Sequence, residues 1–165
     1  MRVPPIEQMS EPVALVYGHW RDLLGPDGRL PSIGRLDLDR IKSTLPQLWL
    51  LGVEYGPVRF RYRVIGENIY RMAARLIHVG DVIADTDARE GREHIQGSLL
   101  HVVETRGPDH YAGAPYARHT SEVIRVERIT LPFANDGRTV DRILNCTVAD
   151  WTPGYRPPQP PGTPE

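Results

Sequence analysis

The segment from Leu45 to Asn68, LPQLWLLGVEYGPVRFRYRVIGEN, constrains the fold more than any other part of the chain. Leu48 to Val53 is a near-continuous apolar run, the pattern of a strand covered on both faces. After the turn signal Tyr55-Gly56-Pro57, Phe60, Tyr62 and Val64 alternate with Arg59, Arg61 and Arg63 at the period-2 spacing of a half-buried strand. Gly66 then opens a helix. The segment holds no nucleophile with its base, no metal-ligand spacing and no phosphate loop, so it speaks to architecture before chemistry.

A chain of 165 residues is one domain with flanking segments. It is large enough to bury about two thirds of its unfolded surface without disulfides or a structural metal. Lys and Arg number 20 against 21 Asp and Glu, a formal charge of −1 that supplies no electrostatic drive toward nucleic acid or an anionic membrane. Neither is expected as a partner. Cys146 is the single cysteine, and the N-terminal MRVPPIEQMSEP lacks the apolar core of a signal peptide. No run approaches the ~18 apolar residues of a membrane-spanning helix. The expected compartment is the cytoplasm.

Residues 1–9 carry proline without periodicity, and the tail 152–165 holds six of the chain's 16 prolines, so both are expected to be flexible flanks of a domain over 10–151. Between them, Ser10 to Gly25 reads as an amphipathic helix capped by Ser10, with Val13, Val16, Tyr17, Trp20, Leu23 and Leu24 forming a stripe. An extended stretch from Leu30 to Leu36 leads to a short helix that begins at Asp37 or Asp39 and ends before Pro46. Two strands follow. Helices are expected over Gly66 to Ile77 and Thr86 to Thr105. Strands are then expected at about 109–117, 121–133 and 139–150, the last two joined at Asn135-Asp136-Gly137.

Two strands, a helical insertion and three strands make an α+β fold, a five-stranded antiparallel sheet with helices on one face and an N-terminal flanking helix. The local sequence points the same way. LPSIGRLDLDRIKSTLPQLWLLGVE at Leu30 to Glu54, FRYRVIG at Phe60 to Gly66 and VERITLPFANDGRTVDRIL at Val126 to Leu144 resemble a bacterial family of single-domain PAS proteins, with the likeness covering about Val13 to Trp151. Gly52 departs from the pattern, standing where a strand side chain is expected. The resemblance implies a cytoplasmic sensory or signalling module without catalytic activity, whose sheet and helices enclose a small-ligand cavity and whose surface meets a signalling protein partner.

Residue spacing limits the other chemistries open to the chain. His94 and His101 lie where haem-binding relatives keep an iron ligand, which makes a gas or redox sensor the first alternative, yet both project away from the Ile95, Leu99, Val102 and Val103 face. No haem, flavin or other cofactor is expected. Asp85 and Asp87 have the Asp-x-Asp spacing of phosphoryl-transferring hydrolases, but Arg89 stands where Thr or Val is required. With Asp81 the same residues fail as a calcium loop, because Ile83 occupies a ligand position. Ser98 lacks the second glycine of a nucleophile elbow. The second alternative, a small enzyme with a cone-shaped cavity for acid-base work, requires an inward carboxylate or histidine, and none falls on an expected inner face.

The expected cavity lining is Phe60, Tyr62, Ile69, Met72, Leu76, Leu99, Val103, Leu144 and Cys146, each the inward member of its element's pattern. Arg59, Arg61 and Arg63 are expected to face an acidic partner, with Glu54 and Glu127 available as cross-strand counter-ions. Tyr17, Trp20 and Leu24 on the first helix are expected to form a homodimer surface. No metal site is expected.

Overall fold

The computed structural model describes residues 3–83, 92–115 and 121–157. Helix α1 (Glu11–Leu23) is followed by the four-residue α2 (Leu38–Ile41) and a 3-10 turn over Lys42–Gln47. Strands β1 (Leu48–Glu54) and β2 (Arg59–Ile65), helices α3 (Glu67–Met72) and α4 (Arg92–Thr105), and strands β3 (Asp109–Gly113), β4 (Val123–Phe133) and β5 (Arg142–Trp151) complete the order. The five strands form one antiparallel sheet in the order β2-β1-β5-β4-β3, so the apolar β1 lies inside the sheet and the arginine-bearing β2 at its edge. Charges on an edge strand discourage pairing with another chain.

The sheet has two unlike faces. One row runs Ile65, Trp49, Asn145, Thr130, Asp109 across all five strands. Ser98 of α4 donates to Asp109 from above it, so α4 covers this face. The adjacent register positions, Leu48, Cys146, Ile129 and His110, point to the other side. That side carries Glu127, which accepts from the backbone N–H of Ser10 at the start of α1. Helix α1 covers it with Val13, Val16 and Trp20, all buried.

Of the α1 stripe, Val13, Val16 and Trp20 are satisfied inside the domain, whereas Tyr17 and Leu23 are half-buried and Leu24 is exposed. Trp20 is 3% exposed and its Nε1–H donates to the Pro132 carbonyl at 2.8 Å. Ser10 stands at the N-cap, but its hydroxyl makes no cap bond; the Glu127 carboxylate, reached from another element, takes the Ser10 N–H instead. The N-terminal flank makes contacts of its own. Ile6–Gln8 form a 3-10 turn, Met9 is buried, and Val3 and Ile6 pack on the core. At the other end Tyr155 stacks on Trp151, and the Thr152 N–H donates to the Glu122 carbonyl. The remainder of the proline-rich tail, 158–165, lies outside the described residues.

Local backbone events shift two expected phases. Leu50 pairs with Val64 but Leu51 with Tyr62, so Arg63 is the extra residue of a β-bulge. The slip turns Val64 outward, to 53% exposure, and brings Ile65 inward. Helix α3 ends at Met72 because Ala74 and Arg75 adopt positive φ, a stop held by a salt bridge from Arg75 to Glu67. Leu76 falls beyond that stop and is exposed, while Ile77 enters the core.

His19 links α1 to α2. Its Nε2 accepts the Asp37 N–H at 3.0 Å, and its Nδ1 is buried without a partner among the described residues. Burial, helped by Arg40 and opposed by Asp37 and Asp22, lowers the pKa below the ordinary 6.5. A histidine held neutral in the fold contributes stability that is whole above pH 6.5 and is lost as pH falls through its lowered value. The melting temperature is expected to fall between pH 7 and pH 5, and to fall less in His19→Gln, whose side-chain oxygen still accepts the Asp37 N–H. Equal slopes for the two proteins would remove His19 as the source.

Candidate functional site

Part of the inner face, on β3, β4 and β5, is polar where a filled core would be apolar. Asp109, Thr130, Asn145, Thr147 and Arg128 are all buried there, contributed by the three adjacent strands β3, β4 and β5. Their polarity follows from neighbours in register and from α4. Ser98 Oγ donates to Asp109 Oδ2 at 2.5 Å and accepts from Arg128 Nη2 at 3.3 Å. The Arg128 guanidinium lies 5.9 Å from the centre of the Tyr111 ring, its cross-strand partner. Trp49 Nε1 donates to Thr147 Oγ1 at 2.9 Å, and the indole lies 6.0 Å from the Tyr62 ring on the same face.

Asn145 sits at the centre of this face, on the middle strand, and is wholly buried. Its Oδ1 accepts from Thr130 Oγ1 at 2.9 Å, whereas its Nδ2 has no hydrogen-bond partner among the described residues. An unsatisfied buried donor costs about 1–3 kcal/mol, so the Asn145 Nδ2–H calls for an acceptor, a water or a ligand atom, beyond the described residues.

The expected lining divides. Phe60 is buried on the inner face, and Tyr62 is half-buried there against Trp49. Ile69 and Leu99 are buried, while Met72 and Val103 are half-buried against the core. Three residues leave the set. Leu76 is exposed for the reason given above. Leu144 and Cys146 pair with Leu50 and Leu48 and lie on the face under α1, not under α4, because β5 presents Asn145 inward and its two neighbours therefore outward. Desolvation pushes the Cys146 thiol up to about 12, a buried hydrophobe rather than a nucleophile.

Sequence reasoning missed Asp109, Thr130, Asn145, Thr147 and Arg128. Period 2 was legible in β4 as Arg128 and Thr130, but a buried polar alternation looks like a solvated face until a helix is known to cover it. The expectation that no carboxylate falls on the inner face is overturned by Asp109, which is 3% exposed. Among the described side chains no histidine accompanies it there. His110 faces the α1 side and meets Glu127 at 2.9 Å, and His101 is exposed. The His94 side chain, Asp85 and Asp87 lie outside what is described. Burial pushes the Glu127 carboxyl up, but hydrogen bonds from His110 and Ser10 outweigh it and leave the pKa below the ordinary 4.5. No cluster of three metal-ligating side chains occurs among the described residues.

The arginine row also divides. Arg61 is committed: its Nε and Nη2 donate to the two Glu54 oxygens at 2.9 and 3.1 Å, and its Nη1 to the Gly80 carbonyl at 2.7 Å. Hydrogen bonding to Arg61 lowers the Glu54 pKa. Arg63 lies over Gly52, where an added Cβ would meet its Nε at 2.9 Å, so the missing side chain in β1 is the space the bulged arginine fills. Arg59 and Arg63 are exposed. Arg61→Glu would set a carboxylate against Glu54 and remove the bond to the Gly80 carbonyl. It is expected to lower the melting temperature, whereas Arg59→Glu is expected to leave it nearly unchanged; equal melts for both would show that the Arg61 contacts contribute nothing.

No helix among the described residues is long and apolar enough to cross a membrane. No curated protein matches the sequence. A solved sensory box sensor histidine kinase from Vibrio cholerae is similar at 13% identity with a TM-score of 0.43, over 70% of this chain and 88% of that one. A family model described as a PAS domain matches residues 8–148, from the turn before α1 through most of β5. With most of its length inside that match, the chain belongs to the PAS domain family.

Proposed function

We propose that this PAS domain is a non-enzymatic sensory module that holds a small polar ligand on the inner face of its sheet, against Asn145. The unsatisfied Asn145 Nδ2–H, buried on the central strand beneath α4, is the observation that carries this reading. It calls for an acceptor atom on the ligand, next to the indole of Trp49 and the network of Thr130, Asp109, Ser98 and Arg128. Asp109 is held by a hydroxyl rather than paired with a proton-transfer partner, which favours binding over acid-base catalysis. The change on binding passes to a protein partner, and exposed Arg59 and Arg63 at the sheet edge suit an acidic one.

Replacing Thr130 and Asn145 together, as Thr130→Val with Asn145→Leu, tests the reading by the sign of a stability change. Removing both partners leaves neither the hydroxyl nor the amide unpaired. If the amide is kept for a ligand, the ligand-free double variant melts at or above the wild-type temperature and retains no small molecule. A loss of about 2 kcal/mol or more in ligand-free protein would show that the pair is structural.

A further inference from the structure

A concavity shares no residue with the polar network of the inner face, and nothing in the sensory reading uses it. Residues 26–30 after α1, 105–106 at the end of α4, and 137–138 in the β4–β5 connection line a half-open cavity of about 460 Å³. Three arginines line it, Arg29, Arg106 and Arg138, against one aspartate, Asp27, a net charge of +2 from the four.

One of the three is fixed in place. The Arg29 side chain lies flat on Gly137, where an added Cβ would meet its Nε at 2.5 Å, and its Nη2 donates to the Asp136 carbonyl at 3.1 Å. Gly137 is at φ +83°, so no side chain competes for that surface. The nearby Asp136 carboxylate is turned to its own backbone, accepting the N–H groups of Arg138 and Thr139 at 2.8 and 2.7 Å. Those bonds lower its pKa. The other two arginines are uncommitted. Neither the Arg106 nor the Arg138 guanidinium makes a hydrogen bond or an ion pair among the described residues. A planar fork of N–H donors matches phosphate oxygens two at a time, and a volume of this size takes a small molecule rather than a protein surface.

We propose that this cavity is a binding site for a phosphate-bearing small molecule, held by Arg106 and Arg138 against the fixed Arg29. It is separate from the inner-face ligand, and neither reading depends on the other.

The test uses inorganic pyrophosphate as the probe, titrated calorimetrically into the full chain at low ionic strength. Saturable binding at one site per chain is expected, weakening as salt is added. The double variant Arg106→Gln with Arg138→Gln is expected to bind at least tenfold more weakly. Both side chains are exposed, so their exchange leaves the fold intact. Arg125→Gln serves as the control, because Arg125 is exposed on β4 beside Asp150 and outside the cavity; it is expected to bind like the wild type. Absence of saturable binding would overturn the proposal. So would an equal loss in Arg125→Gln, which would mark the binding as general surface charge.

Discussion

Replacing Trp20 with alanine is expected to cost about 3–5 kcal/mol, a large share of the stability of a domain this size. Trp20 is 3% exposed, belongs to the core and joins α1 to the outer sheet face. Trp20→Phe separates packing from hydrogen bonding. It keeps most of the apolar contact but leaves the Pro132 carbonyl without its donor, for an expected loss of about 1 kcal/mol beyond the missing area. Denaturant unfolding of both variants measures the difference. A Trp20→Ala protein that unfolds with the wild-type midpoint, yet sediments at a lower mass, would mean that the indole belongs to a subunit interface instead.

Gly66→Ala is expected to be nearly as damaging, although it adds one methyl group. A Cβ at Gly66 would lie 2.4 Å from the Pro46 carbonyl oxygen, 2.6 Å from that of Leu45 and 2.7 Å from that of Leu48. All three are backbone atoms, and Gly66 itself donates to the Leu48 carbonyl at 2.7 Å, so nothing flexible gives way. The expected loss is about 3 kcal/mol. Gly97→Ala is the matched control, since that glycine lies in α4 with open space where the Cβ would go, and the change is expected to raise stability by up to about 1 kcal/mol. Equal effects at the two positions, read from thermal melts, would contradict the packing of the β2–α3 junction against the turn before β1.

The strands were legible in the sequence because their signals are local. The apolar run of β1, the alternation in β2 and the turn between them need only their own residues to be read. Boundaries decided by single backbone angles were not legible. Nothing in the composition of Ala74-Arg75 announces positive φ, and so Leu76 was placed on a helix face that ends four residues before it. Which face of the sheet each residue takes was the larger gap. Leu144 and Cys146 carry the apolar signal of β5, which points them inward when only one face is expected to be covered; both faces are covered, and these two lie on the one under α1. The polar residues under α4 were hidden for the same reason. A buried threonine or asparagine in a strand has the same letter as an exposed one, and only the covering helix distinguishes them. Trp20, expected at a partner surface, was equally ambiguous until the outer sheet face was seen to need its cover.

Native mass spectrometry of the full chain, desalted after incubation with a small-molecule extract of bacterial cells, tests the central claim most directly. The account predicts a species heavier than the polypeptide by one small molecule, released on unfolding and absent from the protein carrying both Thr130→Val and Asn145→Leu. A bare polypeptide mass under all conditions, together with a loss of stability in that double variant, would contradict it.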